Sequence, residues 1–395
     1  MNKLASLKNK NILFLQGPMG MFFKKLDRSF RLKGAHTFRI GFNAGDQFFS
    51  YKDNYTAFRE RPEEWPKFIE DFLQKHQIEK IFLFGDCRYY QTVARQVSYR
   101  LKIDVFVFEE GYLRPHYITM EKFGVNGFSS LSRDPKFYKS LKVKNTPEPK
   151  HAHASKTKMV ISAIIYYAMA NILQFRYPYY RHHRDFSALQ EFFHGVRSAW
   201  RKIVYMFSEK KYMKIIEEDI AKKYYFVPLQ THNDFQILQH SSYRSIEKFI
   251  IEVLESFAHH APKETFLVFK HHPVDRGRKN YNAFILQQAK LLRIEERVFS
   301  FHDVYLPTCL KNAKATITIN STVGLTSIAY DLPTLTMGDA VYDIDGLTNH
   351  GKSLKKFWQQ HKKPNEVLYQ KYRQYLISNT QLNGSFYGKM PKELV

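Results

Sequence analysis

Cysteine is nearly absent: Cys87 and Cys309 are the only two in 395 residues. Two cysteines cannot build a disulfide framework, and neither has companions at metal-ligand spacing. That scarcity fits a reducing compartment. Acidic residues are also short, with 37 Asp and Glu against 61 Lys and Arg, for a net charge of +24. No apolar run reaches the roughly 20 residues that span a bilayer. The longest, Met159 to Leu173, is interrupted by Ser162 and Asn171. The N-terminal stretch is not expected to act as an export signal either. Lys3, Lys8 and Lys10 precede an apolar stretch, but Gln16, Gly17 and Pro18 cut it after Leu15. The loop Gln16-Gly17-Pro18-Met19-Gly20 lacks the full dinucleotide fingerprint. No internal repeat stands out, and no RNA- or DNA-binding module is recognisable, so nucleic acid is not expected as a partner.

The hydrophobic share of 44% and charged share of 25% describe a globular chain long enough for two packed domains. Aromatics reach 16%, with 34 Phe and 26 Tyr. A chain this basic and aromatic expects an anionic partner, either a membrane surface or phosphorylated and carboxylated substrates. The expected location is cytoplasmic.

Short apolar runs at Ile12–Leu15, Lys80–Phe84 and Asp104–Phe108 read as strands, with a helix over Tyr89–Leu101. Each strand leads into a Gly-bearing polar loop. From Tyr224 the rhythm returns, with strands at Tyr224–Leu229, Thr265–Phe269, Ala315–Ile319 and Pro333–Met337. Helices alternate with them at Tyr243–His259, Asn282–Leu292 and Val323–Tyr330, and a polar helical tail covers Lys352–Ile377. The expectation is an α/β protein of two Rossmann-like domains facing across a cleft. The N-terminal, acceptor and catalytic domain covers 1–145. The C-terminal, donor-binding domain covers 221–395 and includes the C-terminal helices. Between them, 146–220 reads as a linker and a basic, aromatic helical insertion. Residues 141–210 hold 12 Lys/Arg, 4 Asp/Glu and 12 aromatics. That composition suits either a hairpin covering the core or an interfacial helix on anionic lipid.

Ligands in parallel sheets sit beyond the carboxyl ends of strands, so the loops there hold the candidates. Asn320-Ser321-Thr322 follows a strand and opens a helix, which suits either an N-cap or an anion site. Lys270-His271-His272-Pro273 also ends a strand, and the proline holds His272 extended. Glu109-Glu110-Gly111 places two carboxylates at a strand end, with Arg114 near enough to pair one of them. Such carboxylates suit glycosyl transfer, as base or nucleophile. Gln16, Gly17, Gln230 and His232 are further cleft candidates. Asp343-Ile344-Asp345 matches the Asp-x-Asp of metal-dependent transferases, a tripeptide common by chance.

Together, Glu-Glu-Gly at 109–111, His-Pro at 272–273 and Asn-Ser-Thr at 320–322 resemble the motifs of bacterial CMP-sugar transferases of GT-B type. The strings FLQGPMGMFF, FGDCRYYQTVA, FEEGYLRPHYITME, VPLQTHNDFQI, KHHPVDRG and ITINSTVGLTSIAYDLPTLTMG are similar to the KpsS/LipB family of capsule polysaccharide proteins.

The resemblance implies a GT-B-like β-Kdo glycosyltransferase. It would move the acidic sugar Kdo from CMP-Kdo to a (lyso)phosphatidylglycerol lipid, starting the poly-Kdo linker of a capsule. It implies His272 and Pro273, with Lys270 beside them, on the CMP phosphate, and Asn320, Ser321 and Thr322 on the same phosphate. It also implies a catalytic carboxylate from Glu109-Glu110-Gly111 and leaves open which of the two Glu it is; the expectation is Glu110 as nucleophile, with Glu109 or Arg114 tuning it. Relatives often carry Asp where Glu110 stands. A single donor phosphate asks for no metal or other cofactor. The implied partners are the donor, the lipid acceptor, the inner leaflet of the cytoplasmic membrane, a KpsC-type transferase and the capsule ABC exporter. A β donor and a β product imply retention by double displacement. The alternatives are an inverting, sialyltransferase-like enzyme and a non-catalytic assembly or export partner.

Overall fold

The computed structural model describes residues 7–142, 147–180 and 188–395. Parts of the expected linker and the basic run Arg181–Arg184 lie outside them. In chain order the first elements are β1 (Asn11–Leu15), α1 (Phe22–Leu32), β2 (His36–Gly41), α2 (Ala44–Phe48), β3 (Tyr55–Ala57) and α3 (Trp65–Lys75). Next come β4 (Lys80–Phe84), α4 (Tyr89–Arg100), β5 (Asp104–Glu110), β6 (Tyr117–Lys122), α5 (Pro135–Ser140), α6 (Lys156–Ile172), α7 (Ala188–Ser208) and α8 (Lys210–Lys214). Then follow β7 (Tyr224–Pro228), α9 (Phe235–His240), α10 (Ile246–His260), β8 (Phe266–Lys270), α11 (Asn282–Leu291), β9 (Val298–Phe301), α12 (Leu306–Asn312) and β10 (Ala315–Thr318). The last are α13 (Thr322–Ala329), β11 (Thr334–Thr336), α14 (Leu354–Gln359), α15 (Glu366–Asn379) and β12 (Gln381–Asn383). The chain is mixed α/β and carries two largely parallel sheets.

Two compact units form. One contains residues 1–130, 144–188 and 374–395, and the other 131–143 and 189–373. These bounds differ from the division expected at 145 and 220. The basic helical segment is shared out, with α6 in the first unit and nearly all of α7 in the second. The final 22 residues also belong to the first unit, because β12 pairs antiparallel with β6 through Gln381–Thr119 and Leu382–Ile118.

The first unit's sheet runs β12-β6-β5-β4-β1-β2-β3. Strands β1 to β5 are parallel, and β6 and β12 add an antiparallel edge. Continuous apolar runs suit strands covered on both faces. Leu13, Leu15, Ile81, Leu83, Val105 and Val107 enter one core, while Ile12, Phe14, Phe82, Phe106 and Phe108 enter the other. The period of two in side-chain direction divides them.

The second sheet, β11-β10-β7-β8-β9, is parallel throughout. Tyr225, Val227, Leu267, Phe269 and Ile317 fill one face, and Tyr224, Phe226, Val268 and Phe301 the other. Trp358 and Phe357 of α14 complete the first of these cores.

In each sheet the strand order reverses once. The reversal lies between β1 and β4 in the first unit and between β7 and β10 in the second. At such a point the flanking connections leave in opposite directions and open a crevice beyond the carboxyl ends of the strands.

Candidate active site

At the first unit's switch point, Gln16 follows β1 and is buried. Its amide nitrogen donates to Asp46 Oδ2 at 3.1 Å and to the Tyr166 hydroxyl at 3.2 Å. Its amide oxygen accepts from Gln91 Nε2 at 3.1 Å. The Tyr166 hydroxyl donates to Asp46 Oδ1 at 2.9 Å and accepts from Asn43 Nδ2 at 2.7 Å. Gln16 is therefore a brace that ties β1 to α2, α4 and α6. Burial raises the Asp46 carboxyl above the usual range, although the Phe42 N–H and nearby Arg39 oppose this. At Gly17 a Cβ would stand 2.5 Å from the Phe23 ring, so its smallness serves packing.

Glu109 sits at the end of β5, beside the loop that follows β4. Its carboxylate folds back to accept the Glu110 backbone N–H at 3.0 Å. A Cβ on Gly85 would come 3.8 Å from Glu109 Oε2, which places the carboxylate over that glycine. Gly85 has φ +68°, a conformation natural to glycine. Burial raises the Glu109 carboxyl to about 7, with help from the negative charges of Glu110 and Asp86 and opposition from Arg88. Part of Glu109 still meets solvent, so it is shielded without being sealed.

Glu110, the last residue of the strand, is exposed. Burial first, and the Glu110 charge second, push the Tyr387 phenol up to about 12. Gly111 has a structural duty, since a Cβ there would lie 2.1 Å from the Tyr117 carbonyl oxygen. Arg114 does not pair with either carboxylate among the described residues; its Nε donates to the Gly111 carbonyl at 3.3 Å. Asp86, which the sequence reading did not select, is buried. It accepts from Arg95 at 3.1 Å and from the Val125 N–H at 2.9 Å.

At the second unit's switch point, Gln230 and Asn320 clasp each other. Gln230 Nε2 donates to Asn320 Oδ1 at 3.0 Å, and the Asn320 backbone N–H donates to Gln230 Oε1 at 3.3 Å. Asn320 Nδ2 donates onward to the Gln236 carbonyl at 2.9 Å. Both amides are thus occupied in joining the loops after β7 and β10. Ser321 caps α13, its hydroxyl accepting the Val323 N–H at 3.2 Å. Thr322 is the first helical residue and is partly exposed. A Cβ at Gly324 would meet the Tyr342 hydroxyl at 2.2 Å, so glycine lets that tyrosine buttress the helix start.

The loop after β8 separates its three basic residues. Lys270 is buried, and its ammonium donates to the His302 carbonyl at 2.6 Å, so its charge is not presented beside His272. His271 is buried too. Its Nδ1 faces the Phe301 carbonyl at 3.1 Å and its Nε2 accepts the Tyr281 N–H at 2.9 Å. That pattern fixes a neutral ring, and burial together with nearby His302 lowers its pKa to about 3. His272 alone lies toward the surface, and its Nδ1 accepts the Val274 N–H at 3.2 Å. In the neutral ring the proton then sits on Nε2, a donor. Pro273 is exposed and starts the short helical turn that this bond caps.

His232 brings a partner that the sequence reading did not select. Its Nδ1 lies 2.7 Å from Oδ1 of the buried Asp275, and its backbone N–H donates to Asp275 Oδ2 at 2.9 Å. The carboxylate fixes the Nδ1–H tautomer and the ring's orientation. Of the sequence-selected residues in this unit, His232 and His272 therefore carry ring chemistry at the strand ends. The Asp275 that orients His232 lies three positions after His272.

Among the described residues, no three His, Cys, Asp or Glu side chains converge as a metal site. Asp343 is engaged locally, accepting from the Thr348 hydroxyl at 2.6 Å and facing His350 Nδ1 at 2.9 Å.

Residues 79–387 match the family described as "Capsule polysaccharide biosynthesis protein". The chain belongs to that family. Glu109, Glu110, His232, His272 and Asn320 lie within the matched span of this capsule polysaccharide biosynthesis protein, and Gln16 and Gly17 precede it. The chain is 40% identical over 381 residues to "Capsule polysaccharide export protein KpsS" of Escherichia coli, covering 96% of this chain and 98% of that protein. It is 35% identical over 398 residues to "Capsule polysaccharide modification protein LipB" of Neisseria meningitidis serogroup B, covering 96% and 92%. Among solved structures, the β-Kdo 2,7-transferase of Thermosulfurimonas dismutans KpsC aligns at 14% identity and a TM-score of 0.43, over 92% of this chain and 88% of that one.

Proposed function

We propose that this capsule polysaccharide biosynthesis protein is a retaining glycosyltransferase that moves β-Kdo from CMP-Kdo to a phosphatidylglycerol-type lipid. The observation that carries the reading is Glu109. Its carboxyl is held near neutrality at the strand end, with exposed Glu110 as its chain neighbour. Such a pair suits two linked displacements at an anomeric carbon.

In the first step a Glu110 carboxylate oxygen bonds to the anomeric carbon. The bond from that carbon to the CMP phosphate breaks, and its electron pair leaves with CMP. In the second step the lipid hydroxyl oxygen bonds to the same carbon and the Glu110 ester breaks. The hydroxyl proton passes to Glu109, which a pKa of about 7 equips to act as base.

The departing phosphate needs positive charge and donors. The proposed groups are His272 through its Nε2–H, His232 backed by Asp275, and the N-terminus of α13 at Ser321 and Thr322. Helix N-termini favour anions, and one phosphate makes modest demands, so the proposed chemistry uses no metal. The excess of 24 positive charges suits an acidic donor, an acidic lipid and a negatively charged inner leaflet on the cytoplasmic side. A KpsC-type transferase and a capsule exporter are the proposed downstream partners.

The test is to trap the intermediate. Glu109→Gln incubated with CMP-Kdo should gain the mass of one Kdo on the peptide that contains Glu110, and Glu110→Gln should gain none. Full transfer by Glu110→Gln would refute the assignment. The Glu109 pKa also favours a second reading, a single inverting displacement with Glu109 as base. The anomeric configuration of the product, read by NMR, decides between them.

A further inference from the structure

Helix α7 is mounted with its apolar side outward. The side that meets its own unit is polar and runs through His194, Ser198, Arg201 and Tyr205 to Glu209. His194 Nδ1 faces the Gly277 carbonyl at 3.1 Å, and Arg201 donates to the Arg276 carbonyl at 2.8 Å. The Tyr205 ring stacks on His302 with centroids 4.4 Å apart. Glu209 accepts the backbone N–H groups of His302 and Asp303 at 2.8 and 2.7 Å. Gly277 admits the helix, since a Cβ there would stand 2.1 Å from the His194 carbonyl oxygen.

At 100° per residue, Phe193, Val196, Trp200, Ile203, Val204 and Phe207 fall within an arc of about 100°. That arc is centred roughly 150° from the docked side. Phe193, Val196, Trp200, Ile203 and Phe207 are each 52–70% exposed. An ordinary surface helix does the reverse and turns its apolar stripe to the core. Between 193 and 214 the basic residues are Arg197, Arg201, Lys202, Lys210, Lys211 and Lys214, and the one acid, Glu209, is buried. Arg197, Lys202, Lys210, Lys211 and Lys214 are exposed.

We infer that the outer face of α7 is a docking surface for an anionic lipid bilayer. The aromatic and aliphatic stripe would enter the boundary between headgroups and acyl chains, and the flanking lysines and arginines would meet lipid phosphates. The absence of exposed acid along the stripe selects a negatively charged surface. A protein helix of mixed charge would find no cation acceptors there. This inference draws on the reading of a lipid acceptor, and the test separates the two.

Trp200 reports on this face directly. Of the three tryptophans, Trp65 and Trp358 are 0% and 1% exposed, whereas Trp200 is 66% exposed. The full chain is mixed with vesicles of phosphatidylglycerol and phosphatidylcholine, some carrying brominated acyl chains. The expected result is co-flotation with the vesicles, a blue shift of tryptophan emission and quenching by the bromines. The double variant Trp200→Ser, Phe207→Ser should bind at least ten-fold more weakly in flotation. It should still transfer sugar to a water-soluble short-chain phosphatidylglycerol analogue. Lys210→Glu with Lys211→Glu should weaken flotation without altering the fold. Vesicle binding without any transfer would uphold the surface and remove the reaction. Transfer with no vesicle binding, or equal binding by the serine variant, would overturn the surface. A stable dimer in lipid-free buffer with Trp200 emission already blue-shifted would also overturn it.

Discussion

Asp275 accepts a 2.7 Å hydrogen bond from His232 Nδ1 while its other oxygen takes the His232 backbone N–H. One buried carboxylate thus fixes the position, ring orientation and tautomer of a single histidine. The next positions along the same loop are Arg276, which forks onto Asp303, and Gly277, which seats α7. The β8 loop therefore joins the candidate phosphate site to the helix proposed to touch lipid.

Replacing Asp275 by Asn keeps the shape but removes the charge behind His232. A charge-assisted hydrogen bond of this kind is worth about 1.5–3 kcal/mol. Calorimetric titration of Asp275→Asn with CMP should show affinity lower by roughly 10- to 100-fold, with His232→Ala similar. Unchanged affinity in both variants would remove His232 from the donor site.

The Glu109 pKa sets a pH dependence with a definite sign. Its folded value of about 7 lies above the ordinary 4.5, so the unfolded chain loses this proton first. Stability from this group therefore falls as pH rises from about 4.5 to 7, and Glu109→Gln should abolish the fall. Allowing for solvent at its open side, the gain at pH 8 should be roughly 1–2 kcal/mol in urea unfolding. Activity should move the other way and rise through pH 7 as the base ionises. A flat profile between pH 6 and 8 would contradict the role.

Tyr166 should matter for stability more than its place in a half-exposed helix suggests. Its hydroxyl serves Asp46, Asn43 and Gln16 together. Tyr166→Phe leaves buried donors unmatched, at a cost of roughly 1–3 kcal/mol. Thermal melts of the variant should shift down, while CMP affinity, which the proposed function assigns to residues of the other unit, should hold.

Much of the architecture was legible because the central strands are buried on both faces. Runs such as Ile12–Leu15, Lys80–Phe84 and Tyr224–Leu229 read as strands without any tertiary knowledge, the last ending one residue beyond the observed strand. The strands β2, β3, β6, β9 and β12 were not read. Several are short or edge strands, and β2 carries Arg39, which only the folded unit buries. The motif loops were legible as strand ends, but the direction of their side chains was not. Lys270 looked like a companion of His272, yet it is the last residue of β8 and turns inward. Arg114 looked like a partner for a carboxylate and instead closes its own turn. Asp275 lay between Pro273 and Arg276 in what read as a basic loop. Its burial depends on the His232 loop, 43 positions earlier. The switch points required strand order, which pairing alone reveals.

The most direct measurement is mass spectrometry of a reaction containing the purified protein, CMP-Kdo and a short-chain phosphatidylglycerol analogue. The expected product is heavier than the acceptor by one Kdo, with CMP released, and it is lost on His272→Ala and on Glu110→Gln. CMP-Kdo that remains intact and unbound would contradict the proposed function at its root.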